Sequence, residues 1–152
     1  MKTAYTAFLT PFGWCGLVRV IIGCSKRNEL DGKIIEDYPG SLRVRNGFSH
    51  ETAELKRYFS GEISEFRFQL NFAGATHFQR LVWDETGKIP YGKARTYSWI
   101  AERIGKAKAG RAVGNALAKN PFPIIIPCHR VIKKDGRLGG FTSPAGIQLK
   151  KE

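Results

Sequence analysis

The chain is poor in the residues that staple small proteins together. Of its 152 residues only three are cysteines (Cys15, Cys24 and Cys128) and one is methionine. An odd cysteine count excludes a closed disulfide framework. No two cysteines stand in a CxxC spacing, which removes the usual zinc-knuckle pattern, and neither a metal nor a cofactor is expected. Cys15 and Cys24 sit among apolar residues and read as small core hydrophobes, with a bridge between them or a metal role as the rarer alternatives. No apolar run approaches the roughly 20 residues needed to cross a bilayer. The start, Met1-Lys2-Thr3-Ala4-Tyr5, lacks the apolar centre of a signal peptide. The expectation is a soluble cytoplasmic protein with no membrane association.

Acidic residues are also scarce. There are 13 Asp and Glu against 25 Lys and Arg, a net charge of +12. The imbalance is concentrated late in the chain: residues 1–76 carry ten basic and eight acidic side chains, residues 77–152 fifteen and five. A polyanion partner for the second half follows, nucleic acid before membrane; the bland alternative is a solvated Lys- and Arg-rich surface. What the chain does have is apolar residues, 42% of the total with 12% aromatic, enough for a real core and against disorder.

In the first half, residues 3–10 and 14–22 are strand-like and separated by Pro11-Phe12-Gly13. Residues 25–40 are polar, with turns at Asp31-Gly32 and Pro39-Gly40, and a short strand from Leu42 to Val44 follows. Ser49 is placed to cap a helix from about His50 to Phe59. Glu65 to Leu70 alternates and predicts a half-buried strand. This is a small α+β unit with little visible chemistry, and Asn71 to Ala75 reads as the boundary after it.

The second half reads as helical. A helix is predicted over 77–85, then a turn from Gly87 to Gly92. Thr96 caps a helix running to Ile104, with Gly105 at its C′ position. Another helix spans about Ala109 to Lys119. Two short helices joined by a few residues containing Gly fit a helix-turn-helix. The outer face of the second offers Ala112, Asn115 and Lys119, with Arg111 at its start. Gly114 in its middle costs about 1 kcal/mol against Ala. Close approach to a DNA groove or close helix packing would each account for it.

Asn120-Pro121-Phe122-Pro123-Ile124-Ile125-Ile126-Pro127-Cys128-His129-Arg130-Val131 is the stretch where chemistry is most visible. Ile124 to Ile126 predicts a buried strand, stopped by Pro127. A thiol held at such a terminus near basic groups should favour its thiolate. Sequence adjacency does not place His129 on Cys128, so a bridging water and a third group orienting the imidazole are expected.

These residues resemble the methylated-DNA–protein-cysteine methyltransferases, suicide repair proteins for O6-alkylguanine. The matching blocks are Pro127-Cys128-His129-Arg130-Val131, Arg111-Ala112-Val113-Gly114, Asn120-Pro121-Phe122-Pro123, Ile89-Pro90-Tyr91-Gly92, Thr96-Tyr97 and Gly139-Gly140-Phe141, in the family's order. The resemblance implies an α+β protein: an N-terminal ribonuclease-H-like domain over 1–72, and a mainly helical C-terminal domain over 73–152 with the helix-turn-helix and the reactive cysteine. It implies a monomer binding double-stranded DNA through the minor groove, with Thr96 and Tyr97 joining Arg111, Ala112, Gly114, Asn115 and Lys119 at the DNA. Cys128 would accept the alkyl group, His129 would act through water, and Tyr97 would offer its hydroxyl to guanine N3. Arg111 would fill the gap left by the flipped base. Asn120 would be the hinge, with Val131, Phe141 and Thr142 lining the pocket. O4-alkylthymine is a second candidate substrate, and lesion binding without chemistry is the alternative function. The family's histidine-orienting glutamate would fall beyond Glu152, so either that acid follows residue 152 or another group orients His129.

Overall fold

The computed structural model describes residues 4–10, 13–17, 21–24, 26–44, 48–63, 65–67, 70–137 and 139. Among these, the residues up to Arg67 form one compact unit and those from Leu70 another. No helix among them is long and apolar enough to cross a membrane.

The first unit is built on a four-stranded sheet. Strand β1 (Ala4–Thr10) runs antiparallel to β2 (Gly13–Leu17), with Thr6 opposite Leu17 and Thr10 opposite Gly13. β2 pairs antiparallel with β3 (Ile21–Cys24), and β1 pairs in parallel with β4 (Leu42–Arg43), giving the order β3-β2-β1-β4. The run expected as one strand over 14–22 is therefore two, β2 and β3. Helix α1 (Arg27–Asp37) packs on this sheet, and α2 (Ser49–Phe59) contacts β1.

Three local expectations fail here. The polar stretch 25–40 contains helix α1 rather than a turn at Asp31-Gly32. Two side chains suffice to anchor it: Leu30 and Ile34, one turn apart, are fully buried, while Arg27–Asp31 and Lys33–Glu29 pair at i,i+4 on the wet side. Ser49 is the first residue of α2 and not its cap; the cap is Phe48, at φ 60°. Residues 65–67 are not a strand. The Arg67 N–H donates to the buried Glu54 carboxylate at 2.8 Å, so its backbone is satisfied by a side chain instead of a ladder.

The second unit is mainly helical. Helix α3 (His77–Gly87) opens on a capping box: Thr76 Oγ1 accepts from Gln79 N–H, and Gln79 Oε1 accepts from Thr76 N–H. α4 (Tyr97–Arg103) is capped by Thr96, whose Oγ1 accepts from Trp99 N–H at 3.1 Å. Gly105, at φ 70°, turns the chain out of α4 in the left-handed conformation glycine adopts without penalty. α5 (Gly110–Ala118) buries Val113, Ala116 and Leu117 on one stripe. These three join Val82, Trp83, Ile89, Ile100, Ile126, Cys128 and Val131 in one core. Trp83 also donates its indole N–H to the Ala116 carbonyl at 2.9 Å, tying α3 to α5 through a buried hydrogen bond. Glu85, buried at the end of α3, accepts from Lys88 at 2.7 Å and Arg103 at 2.9 Å, binding α3 to α4. Those cations, Lys88 first, hold its carboxyl below the ordinary range.

Ile124 to Ile126 is not a strand. The Ile126 N–H donates to the Phe122 carbonyl at 2.8 Å, closing a tight turn that brings Pro123 beside Ile126. Prolines at 121, 123 and 127 leave few N–H groups for a ladder. Ile124 and Ile126 still enter the core, so burial drives the segment without pairing it. Ile124 sits at φ 76°, a conformation costing a β-branched residue about 1–3 kcal/mol.

Candidate active site

Cys128 begins a single 3-10 turn, Cys128–Arg130, directly after Pro127. Such a turn has poor internal hydrogen bonding. Here it is closed by Arg130 N–H to Pro127 O at 2.8 Å and Val131 N–H to Cys128 O, with Cys128 N–H bonded back to Ile126 O at 2.7 Å. Three attachments to the ends of the helix-bearing segments around it help to place it.

The first attachment is Asn120, buried just past the end of α5. Its Nδ2 donates to the Ile126 carbonyl at 2.9 Å and to Cys128 Sγ at 3.3 Å, while its Oδ1 accepts from Phe122 N–H at 2.9 Å. The second is strand β6 (Val131–Ile132), which leaves the turn and pairs in parallel with β5 (Arg95–Thr96), the strand that leads into α4. The third is Arg130, whose Nη1 donates to the Ile89 carbonyl at 2.6 Å just past α3. The thiol is thus buried yet held in a fixed direction by groups distant in sequence.

Tyr97, the first residue of α4, lies in a slot with glycine walls. A Cβ at Gly114 would stand 3.7 Å from its ring, an ordinary contact. A Cβ at Gly139 would overlap its hydroxyl and come within 2.9 Å of Cζ. Burial first, and then the charge of Cys128, hold the Tyr97 phenol above its ordinary pKa, so it is a neutral O–H donor at neutral pH.

The structure therefore brings Cys128, Asn120 and Tyr97 into one neighbourhood, with Val131 fully buried in the core that Cys128 joins. His129 is half-buried in the middle of the turn, splayed from Cys128 by about 120° in a three-residue-per-turn helix. Arg111, Ala112, Asn115 and Lys119 are exposed along α5. Gly114 is half-buried and faces the Tyr97 ring, where a Cβ would make only an ordinary contact. The Thr96 hydroxyl is engaged as a helix cap. Phe141, Thr142 and Glu152 lie outside the described residues, as do the side chains of Cys15 and Cys24. Sequence reading misses Gly139 as a wall of the Tyr97 slot and gives Arg130, Ile89 and Tyr91 no role. Their presence in recurring blocks is the available signal.

Residues 77–152 match the family described as 6-O-methylguanine DNA methyltransferase, DNA binding domain. A methylated-DNA–protein-cysteine methyltransferase of Methanosarcina acetivorans is 40% identical over 97% of this chain and 93% of its own. One of Methanosarcina barkeri is 46% identical over 97% and 92%. A crystal structure of Mycobacterium tuberculosis OGT in complex with DNA superposes with a TM-score of 0.78 at 33% identity, covering 98% of this chain and 89% of that one. The O6-methylguanine-DNA methyltransferase of Pyrococcus kodakaraensis gives 0.74 at 25% identity, over 97% and 95%. The chain belongs to the methylated-DNA–protein-cysteine methyltransferase family.

Proposed function

We propose that this protein repairs O6-alkylguanine in duplex DNA by moving the alkyl group onto its own Cys128, once per molecule. The observation that carries this reading is the buried Cys128 sulfur, held by the Asn120 amide beside a phenol kept protonated. A target carbon inside a duplex must be brought out of the stack, and a damaged base leaves more cheaply. The Cys128 thiolate then attacks the saturated carbon. A sulfur–carbon bond forms, the carbon–O6 bond breaks, and its electron pair passes to the guanine. Tyr97, donating to guanine N3, makes that base a better leaving group, general-acid help worth about 10²–10⁴-fold. His129 acts through a water to take the thiol proton. Asn120 fixes the sulfur as the hinge after the recognition helix, and Val131, Phe141 and Thr142 line the pocket.

Helices α4 and α5 form the helix-turn-helix in this reading. Ala112, Gly114, Asn115, Lys119 and Thr96 meet the minor groove, and Arg111 fills the space of the flipped nucleotide. Residues 73–152 then constitute the DNA-binding alkyltransferase domain and 1–72 a ribonuclease-H-like domain, in a cytoplasmic, chromosome-associated monomer. Lesion binding without chemistry leaves the built cysteine site unexplained. Incubation with an O6-methylguanine duplex should add one methyl to each protein molecule, all of it on Cys128, and then stop. Intact-mass spectrometry showing no increment, or continued turnover of excess duplex, would refute the proposal.

The slot around Tyr97 gives a second expectation. Gly139→Ala places a methyl where the Tyr97 hydroxyl stands, so the phenol or the pocket backbone must move. A displacement of about 1 Å can cost roughly 10²-fold in rate. The single-turnover rate on free O6-benzylguanine should fall by that order, while Gly114→Ala, which meets the ring at ordinary contact distance, should change the same rate far less. Equal effects of the two substitutions would show that the slot does not place the phenol.

A further inference from the structure

The Pro127-Cys128-His129-Arg130 run gives the proposed chemistry a thiol and an imidazole but leaves its guanidinium without a task. In the structure that guanidinium reaches two groups of one turn at once. Nη1 donates to the Ile89 carbonyl at 2.6 Å, and Cζ lies 5.4 Å from the centre of the Tyr91 ring. Both partners belong to the turn after α3, which is itself well fixed. Ile89 is only 2% exposed; its N–H donates to the Thr86 carbonyl at 3.1 Å, and Lys93 N–H donates to the Pro90 carbonyl at 3.1 Å. The Ile89 carbonyl is thus a rigid point offered to a side chain 41 residues later in the sequence. Tyr91, at 65% exposure, is a large aromatic left at the surface, and covering the guanidinium accounts for its presence there.

Resting on Cys128 as the alkyl acceptor, we propose that Arg130 is a positioning residue for the transfer: its clamp on Ile89 and Tyr91 sets the direction of the sulfur. Arg130 is the last residue of the same 3-10 turn that Cys128 begins. Three residues of 3-10 helix are weakly restrained from within, since their hydrogen bonds are few and of poor geometry. Asn120 restrains the sulfur end of the turn, and the clamp restrains the other end before β6 starts. A planar guanidinium can donate to a carbonyl in its plane while its face stacks on a ring; an ammonium is a point charge with no plane to stack. The role is mechanical, acting through the turn, and requires no contact with the base.

The test uses the full chain with O6-benzylguanine and with a methylated duplex, each under single-turnover conditions. Arg130→Ala should lower the saturating transfer rate by about tenfold or more on both substrates, the scale of a misdirected nucleophile. The half-saturating concentrations and the affinity for undamaged duplex should stay at the wild-type values. In Arg130→Lys and Tyr91→Leu, which keep the positive charge, the pH midpoint for iodoacetamide labelling of Cys128, read by peptide mass, should not move, because direction rather than charge is lost. Arg130→Lys should recover part of the rate, and Tyr91→Leu should lose part of it. Wild-type rates in these variants, or a rate loss in Arg130→Lys or Tyr91→Leu matched by a shifted labelling midpoint, would overturn the clamp. If Arg130→Ala does not fold, as judged by its melting transition, Arg130→Lys and Tyr91→Leu decide by the same criteria. A wild-type protein labelled by iodoacetamide at Cys128 that never accepts benzyl would refute the acceptor role, an outcome distinct from failure of the clamp.

Discussion

Cys128→Ala is expected to abolish alkyl transfer while leaving affinity for duplex DNA within about twofold of wild type, since in the proposed reading the exposed residues of α5, and not the buried sulfur, meet the duplex. Nothing else at the site replaces the sulfur. Displacement at a saturated carbon needs a soft, ionisable nucleophile, and the groups around Cys128 include an amide, a phenol above its ordinary pKa and apolar core. Cys128→Ser should be as inactive, because a hydroxyl is not ionised at neutral pH. The truncation removes only one buried sulfur, a loss of about 1 kcal/mol of stability, so the variant stays folded. Intact mass after exposure to methylated duplex shows the first effect, and a fluorescence anisotropy titration at fixed salt shows the second. A methyl increment in the variant would move the acceptor to another residue, and a large loss of affinity would mean that Cys128 also organises the binding surface.

That acceptor is legible in the sequence while much of its support is not, and the difference has a physical cause. Helices α3, α4 and α5 announce themselves because their apolar residues recur at helical spacing, and α4 also carries Thr96 and Gly105 at its ends. Each signal lies within one turn of the feature it marks. Helix α1 escapes a sequence reading because only Leu30 and Ile34 anchor it, and two residues at i,i+4 do not rise above a polar background. The turn at Ile124 to Ile126 reads as a strand because an apolar run shows burial but not what its N–H groups bond to. The site itself is held by contacts across long separations: Arg130 to Ile89, Trp83 to Ala116, Gly139 to Tyr97. No local pattern encodes these. The basic excess of residues 77–152 and the Pro-Cys-His-Arg run point to a reactive thiol beside a polyanion, but only the fold brings Asn120 to the sulfur.

Asn120→Asp should be the most damaging near-isosteric change in the protein. The carboxylate keeps the acceptor used by Phe122 N–H, so the turn after α5 is not simply cut loose. It loses both donor contacts, one to the Ile126 carbonyl and one to Cys128 Sγ. Oxygen lone pairs then face two acceptors in a buried space, at about 1–3 kcal/mol for each acceptor left unsatisfied. A negative charge beside the sulfur also opposes the thiolate, so ionisation of Cys128 must move to higher pH than in the wild type. Well below the midpoint, raising it by one pH unit lowers the thiolate fraction about tenfold. The variant can relieve the repulsion by protonating the introduced carboxyl, and burial pushes that group's pKa upward. Once neutral, the carboxyl could donate to the sulfur again, but only at a pH where the thiol also holds its proton. The two ionisations therefore work against each other, and no pH restores the wild-type rate. Transfer to O6-benzylguanine near neutral pH should fall about 100-fold or more, with the iodoacetamide midpoint at Cys128 displaced upward and the melting temperature reduced. Asn120→Ala separates the two effects: it removes the donors without adding charge, so it should lose stability comparably and displace the midpoint less. A midpoint displaced equally by both substitutions would show that the missing hydrogen bond, and not the added charge, governs the thiolate.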